Sequence, residues 1–259
     1  MAERVNVLGV AVSAIDMAGA LAAIEDWIGG GRREYVCVTG VHGVIESRRS
    51  PRLRAIHNAA GLVVPDGMPL VWLLWRAGHR EADRVYGPDL MLAALARPAL
   101  RDCRHFLYGS SPASIARLRR NLEARFPALR IAGAISPPFR PLSRAEDEAV
   151  VTAIDRSGAE IVWVGLSTPK QEIWMAEHRA RLRANVLIGV GAAFDMHAGL
   201  LRQAPRAMQR CGLEWLFRLA VEPRRLWRRY LRNNPRFIAE VLAQATGLRR
   251  YRLDGDQDQ

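Results

Sequence analysis

The chain has 259 residues, 49% of them hydrophobic and 25% charged, with a formal net charge of +12. That composition sustains a sizeable core and excludes long disorder, and the length suits one large domain or two small ones. Three widely spaced cysteines, Cys37, Cys103 and Cys211, make neither a disulfide framework nor a paired-cysteine zinc motif, which predicts a reducing compartment.

The N-terminus lacks an apolar segment behind positive charge. No stretch approaches the roughly 18–20 apolar residues of a spanning helix. The expectation is a cytoplasmic protein that neither crosses a membrane nor is secreted by the standard route.

In chain order, Arg4–Val10 and Glu34–Thr39 read as β-branched strands. Between them a helix is expected from a cap at Asp16 to about Ile28, stopped by Gly29-Gly30-Gly31. Leu62–Val64 is a short apolar run ending at Pro65. His105–Gly109 reads as a strand, and Ser111-Pro112 opens an amphipathic helix to about Phe126, with serine as cap and proline at the first helical position. Arg130–Ile135 is another strand. Ser143 and Glu146 form a capping box for a helix to about Arg156. Ile161–Leu166 and Val186–Val190 are continuous apolar strands of the kind covered on both faces, separated by a helix from Pro169 to about Leu182. This alternation predicts an α/β fold, a Rossmann-like, mainly parallel sheet flanked by helices.

After Gly199 the strand signals stop. Pro205–Leu219 reads as helical, and Pro223 sits at the start of a helix broken by Asn233-Asn234-Pro235. Phe237–Thr246 then makes a last helix ended by Gly247. The predicted organisation is an α/β domain over 1–200, a basic helical appendage over 201–253 and an acidic tail over 254–259. Residues 202–252 carry thirteen arginines against three acids. Arg224, Arg225, Arg228, Arg229 and Arg232 fall on one helical face, opposite Leu226, Trp227, Tyr230 and Leu231. Three readings are open for this face: a solvated charged surface, nucleic-acid binding, or an interfacial helix on anionic lipid. No nucleic-acid-binding motif accompanies it.

Ligands of open α/β sheets bind at the carboxyl ends of strands. Five clusters fall there: Thr39 to His42, Pro65 to Pro69, Gly87 to Asp89 behind Arg84, Gly165 to Glu172, and Gly189 to Asp195. Gly189-Val190-Gly191 lacks the third glycine and the later acid of a dinucleotide fingerprint. Its glycines instead suit close backbone approach to a ligand.

Pro65-Asp66-Gly67, Gly165 through Glu172, Gly189 through Asp195 with Ala198-Gly199, and the run Arg202, Ala204-Pro205, Gly212-Leu213-Glu214-Trp215, Arg218, Glu222-Pro223-Arg224 resemble the motifs of the WecG/TagA/CpsF glycosyltransferase family. The resemblance covers nearly the whole chain, in order. It implies inverting transfer from a nucleotide sugar, usually a UDP-sugar, to a lipid-pyrophosphate-linked sugar. It also implies work at the cytoplasmic face of the membrane without a required metal or other cofactor. The expected partners are a UDP-sugar, a polyprenyl-pyrophosphate-linked sugar and an anionic membrane surface, with no nucleic acid.

On that resemblance Asp66 is the general base and Thr39 lines the pocket near the sugar. Many members carry Asn two residues after this threonine. This chain has Val41, and His42 is either its replacement, a second proton-transfer group or an ordinary satisfied histidine. Arg84 is a phosphate contact or a surface arginine. Lys170 and Gln171 stand at a helix start suited to a diphosphate or uridine, with Ser167-Thr168-Pro169 as its cap and proline at the first helical position. Gly189 and Gly191 line the nucleotide, and Asp195 touches it or caps a helix. Asp89 is expected to cap the helix after it. Arg218, Arg224 and Arg228 are candidates for stabilising the diphosphate leaving group. The rival readings are a nucleotide-dependent oxidoreductase, which the failed glycine fingerprint opposes, and a basic nucleic-acid binder.

Overall fold

The computed structural model describes residues 2–253. The acidic tail expected over 254–259 lies outside the described residues. Strands β1 (Arg4–Val7) and β2 (Val10–Ser13) form an antiparallel hairpin. Strands β3 (Glu34–Thr39), β4 (Leu62–Pro65), β5 (Arg104–Gly109), β6 (Arg130–Ile135), β7 (Ile161–Gly165) and β8 (Val186–Gly189) form a six-stranded parallel sheet of order β4-β3-β8-β7-β5-β6. Leu187 of β8 lies opposite Tyr35 on one side and Val162 on the other.

The helices, in chain order, are α1 (Met17–Gly29), α2 (Val41–Arg49), α3 (Pro51–Ala59), α4 (Met68–Arg76), α5 (Gly87–Ala96), α6 (Pro98–Arg101), α7 (Pro112–Arg125), α8 (Arg144–Ser157), α9 (Lys170–Arg179), α10 (Ala193–His197), α11 (Arg206–Arg210), α12 (Glu214–Val221) and α13 (Pro223–Ala245). Val36, Val162, Trp163, Leu187 and Ile188 are wholly buried. Both faces of the central strands are covered, which is why their sequences run apolar without alternation. The α/β fold with a basic helical C-terminal region is therefore as the sequence predicts. Ser111 caps α7 by accepting from the Ser114 N–H, and the Ser143–Glu146 capping box is present in both directions.

The chain forms two compact units. One comprises residues 2–17, 38–86 and 202–253, and the other 18–37 and 87–201. The C-terminal helices thus belong to the first unit. There Arg48 of α2 pairs with Glu240 of α13 at 2.9 Å, and Arg49 donates to the Asn233 side chain at 3.0 Å. The Val63 N–H donates to the Ser13 hydroxyl at 3.1 Å, tying β4 to the hairpin.

Several local expectations are corrected. Arg4–Val10 is two strand halves joined through Leu8 and Gly9, both with positive φ (54° and 88°), a turn favoured in two-residue hairpins. Pro205–Leu219 is split at Cys211-Gly212-Leu213. Gly212 takes φ +71°, and a β-carbon there would lie 2.8 Å from the Trp72 ring. Asn233-Asn234-Pro235 does not break its helix, and α13 runs straight through Pro235. A mid-helix proline costs about 3 kcal/mol. The burial of Phe237 and Glu240 beyond it, and the bonds of buried Asn233, offset that cost.

The expected two-faced pattern of this helix also divides differently. Leu226 is buried, whereas Trp227 and Leu231 are 46% and 67% exposed and form an outward stripe with Ile238 and Leu242. Pro169 precedes α9 as its cap residue rather than opening it, because the Thr168 hydroxyl donates to Glu172 instead of accepting from the backbone. Asp89 does not cap α5. It stands in the first turn, where its charge suits the helix dipole.

One buried group in the second unit gives a pH prediction. His105 Nδ1 accepts from the Trp163 indole N–H at 3.0 Å, so the ring proton sits on Nε2, 2.9 Å from the Leu100 carbonyl. Burial pushes its pKa down to about 4. In the unfolded chain it titrates near 6.5. The unfolded state takes up the proton first, so stability is full above pH 6.5 and falls between pH 6.5 and 4 by about 3 kcal/mol. Melting curves across that range should show the slope, and a His105→Asn variant should lose one proton's share of it. An unchanged slope in the variant would refute the assignment.

Candidate active site

In the first unit, Thr39 ends β3 and Asp66 follows β4 directly. The Asp66 N–H donates to the Thr39 carbonyl at 2.9 Å, which brings the two expected residues side by side. Gly40 is the cap residue of α2, and a β-carbon there would lie 3.9 Å from Asp66 Oδ2. The carboxylate therefore stands beside the N-terminus of α2, where the partial positive charge of the helix gathers.

Arg84 holds this corner. Its Nε donates to the Asp66 carbonyl at 2.8 Å and its Nη1 to Gln209 Oε1 at 2.8 Å, while its Nη2 pairs with Glu214. The guanidinium also lies over the Tyr86 ring at 3.9 Å. Burial works to lower its pKa, but Asp66 and Glu214 carry it above the ordinary arginine value. Burial, then Glu214 and Asp66, push the Tyr86 phenol far above its ordinary range. The result is one guanidinium among two carboxylates and a neutral phenol, with all three guanidinium nitrogens engaged. The expected phosphate contact thus links the Asp66 loop to α11 and α12.

His42 lies in the first turn of α2. Its Nδ1 accepts from the Asn233 amide at 2.9 Å and stands 3.7 Å from Glu46 Oε1. Asn233 is buried, and its oxygen accepts from Arg49, so one asparagine is held from the first and the last turn of one face of α2. Of the three expected leaving-group arginines, Arg218 is the partly buried one, close enough to Tyr230 to influence its titration. Arg224 and Arg228 are exposed. Arg229, which the sequence argument did not single out, turns inward, and burial lowers its pKa.

In the second unit, Gln171 and Glu172 open α9 and are buried to 3% and 0% exposure. The Gln171 amide nitrogen donates to Glu172 Oε1 at 3.1 Å, as does the Thr168 hydroxyl at 2.8 Å. This fixes the amide so that Gln171 Oε1 points the other way. That oxygen is buried without a partner and lies 3.4 Å from where a β-carbon of Gly191 would be. Gly189 faces the same amide, with a β-carbon position 3.1 Å from Gln171 Cδ and 2.8 Å from Met175 Cε. The two glycines are therefore what lets Gln171 lie across the end of β8. Lys170, by contrast, is exposed. Asp195 caps no helix. It sits in the first turn of α10, and its Oδ1 accepts from the Ser110 hydroxyl at 2.8 Å and from Ser114.

The structure thus gathers Thr39, Asp66 and Arg84 in one unit, and Gln171, Gly189 and Gly191 in the other. Glu214, Gln209, Tyr86, Asn233, Glu172, Ser110 and Ser114 were missed by sequence reasoning. Glu214 stood in a recognised motif without a role, and the spacing of Thr168 and Glu172 was a visible helical signal. Ser110 and Asp195 are 85 positions apart, and nothing local connects them.

Residues 5–251 match the family described as Glycosyl transferase WecG/TagA/CpsF. The chain is also 30% identical over 197 residues to an N-acetylglucosaminyldiphosphoundecaprenol N-acetyl-beta-D-mannosaminyltransferase of Bacillus spizizenii. That stretch is 76% of this chain and 74% of the relative.

Proposed function

The chain belongs to the WecG/TagA/CpsF glycosyltransferase family, and on that premise we propose that it moves a sugar, with inversion, from a UDP-sugar to a sugar carried on a polyprenyl pyrophosphate during surface-polymer synthesis. The observation that carries this reading is the placement of Asp66. Its carboxylate stands at a strand end beside a helix N-terminus, and its loop is fixed through main-chain bonds to Thr39 and Arg84. A single displacement needs one such base. The acceptor hydroxyl gives its proton to Asp66 as its oxygen bonds to the anomeric carbon. The bond from that carbon to the phosphate oxygen breaks, and UDP leaves with the electron pair. Charge grows on the diphosphate, and cations there lower the barrier. Arg218, Arg224 and Arg228 are the proposed cations, and the inward Arg229 joins them. In this reading they do the work without a metal.

Gln171 supports uridine as the base. Its fixed, unpartnered carbonyl oxygen requires a donor. The imide N–H of uracil supplies one, whereas the corresponding ring nitrogen of cytosine is an acceptor. Lys170, Gly189, Gly191 and Asp195 stay assigned to the nucleotide sugar, and Thr39 and His42 to the sugar end. The outward stripe of Trp227, Leu231, Ile238 and Leu242 beside exposed arginines suits an anionic membrane surface. Among the described residues no helix is long and apolar enough to cross a membrane. We place the protein as peripheral on the inner face of the cytoplasmic membrane.

The test is release of nucleoside diphosphate from a panel of UDP- and CDP-sugars, with and without a short-chain lipid-pyrophosphate N-acetylglucosamine. The relative's name makes N-acetylmannosamine the first donor sugar to try. Acceptor-dependent release from a UDP-sugar and not from its CDP counterpart is expected. A broad panel with no release and no UDP binding would overturn the reading.

A further inference from the structure

Gln171 and Glu172, at the start of α9, are almost wholly buried, and each keeps one oxygen buried without a partner, Oε1 of Gln171 and Oε2 of Glu172. A buried carboxyl group with an unpaired oxygen is costly, and a neutral glutamine of the same shape would lie there at a smaller penalty. Folding alone therefore gives no reason for a carboxyl group at position 172.

A reason lies in the direction of its hydrogen bonds. Glu172 Oε1 accepts from the Thr168 hydroxyl at 2.8 Å and from the Gln171 amide nitrogen at 3.1 Å. A carboxylate has no proton to give, so the amide meets it only through its NH2 group. Thr168 does not set this direction, because a hydroxyl donates or accepts as its neighbour requires. The other end of the Gln171 amide is thereby committed as an acceptor. It faces Gly191, where a β-carbon would be 3.4 Å away. With glutamine at position 172 the same chain of bonds runs equally well in reverse. The new amide then donates to Gln171 Oε1 and to Thr168, and Gln171 turns its NH2 group toward the ligand. That end matches the ring nitrogen of cytosine, an acceptor, where the present one matches the imide N–H of uracil.

We propose that Glu172 is a positioning residue that sets the pyrimidine preference of the nucleotide site: it touches no ligand, and it holds Gln171 as an acceptor so that uracil is taken and cytosine refused. The inference rests on Gln171 as the contact to the base, and goes beyond it by naming the group that decides the sense of that contact.

The test measures UDP and CDP binding by calorimetry, with a melting curve, for the full chain, Gln171→Leu and Glu172→Gln. The unsubstituted chain is expected to favour UDP by at least about tenfold, the effect of leaving one buried acceptor unpaired. Gln171→Leu should lose that preference by weakening UDP. Glu172→Gln should bring the two affinities within about threefold, and CDP should bind more tightly than it does to the unsubstituted chain. A merely structural residue gives no such gain, since a loosened helix start weakens both nucleotides alike. Glu172→Ala also frees the amide to turn and takes the place of the glutamine variant if that does not fold, with a smaller gain for CDP. No gain for CDP, or an unchanged preference for UDP, in whichever of the two folds would overturn the proposal. If Gln171→Leu has nonetheless lost the preference, the base contact stands and only the role of Glu172 falls. A Gln171→Leu variant that still favours UDP, or an unsubstituted chain that binds both nucleotides alike or neither, would remove the base contact itself and the proposal with it.

Discussion

Asp66→Asn is expected to cut sugar transfer by roughly 10³-fold while leaving UDP affinity within about twofold, the middle of the range for losing a general base. The substitution is nearly isosteric. More to the point, the bonds that position residue 66 use main-chain atoms, its N–H to Thr39 and its carbonyl from Arg84. Asparagine keeps both. What it loses is the capacity to take a proton and the negative charge near Arg84, and Glu214 still holds that guanidinium. Initial rates of UDP release, equilibrium UDP binding and a melting curve measured together separate the possibilities. Turnover within tenfold of the unsubstituted chain would remove Asp66 from the role of base. Loss of UDP binding in step with turnover would show that the carboxylate serves the donor rather than the acceptor.

The parts that could be read from the sequence were those written in local chemistry. β7 and β8 announced themselves as unbroken apolar runs because both of their faces are covered. Ser111-Pro112 and Ser143 with Glu146 fixed two helix starts because a cap is a matter of four consecutive residues. Asp66 was singled out through the resemblance, because Pro65-Asp66-Gly67 by itself reads equally as a turn. What failed was what depends on distant partners. Proline 235 reads as a breaker from its neighbours alone, yet Asn233 is held by Arg49 and His42, far away in the chain, and the helix continues. The outward turn of Trp227 and Leu231 follows from which side of α13 meets α2, and no helical period encodes that. Arg84 was read as a phosphate contact or a surface arginine, with no sign of the residues that hold it. Its actual bonds, to Gln209 and Glu214, span 125 and 130 positions.

That long-range pair yields the other large expected effect. Glu214→Ala should destabilise the docking of α11 and α12 by roughly 3 kcal/mol, the lower end of the cost of breaking a buried ion pair. The side chains of Arg84 and Glu214 are only 11% and 15% exposed, so water replaces the lost carboxylate poorly. Gln209 remains as a neutral acceptor, and Asp66 keeps its attraction, which is why the low end applies. Glu214→Gln, which retains an acceptor of the same shape, should cost about 1 kcal/mol. The consequence should be local, because Arg202, Arg206 and Arg210 are exposed trypsin sites next to the docked segment. Opening that segment by 3 kcal/mol raises its open population about a hundredfold, and under brief digestion the cleavage rate there follows that population. A double-mutant cycle with Arg84→Met and Glu214→Leu isolates the pair, and a coupling near 2 kcal/mol or more is expected. An alanine variant with an unchanged digestion pattern and melting temperature would mean that α11 and α12 are held by other contacts, the seat of Gly212 against Trp72 being the first to test. If the latch does hold, Arg84 fixes the carbonyl of Asp66 and the docking of α12 with the same guanidinium. Release of α12 should then disturb the base directly, and the kcat of Glu214→Ala should fall with its docking.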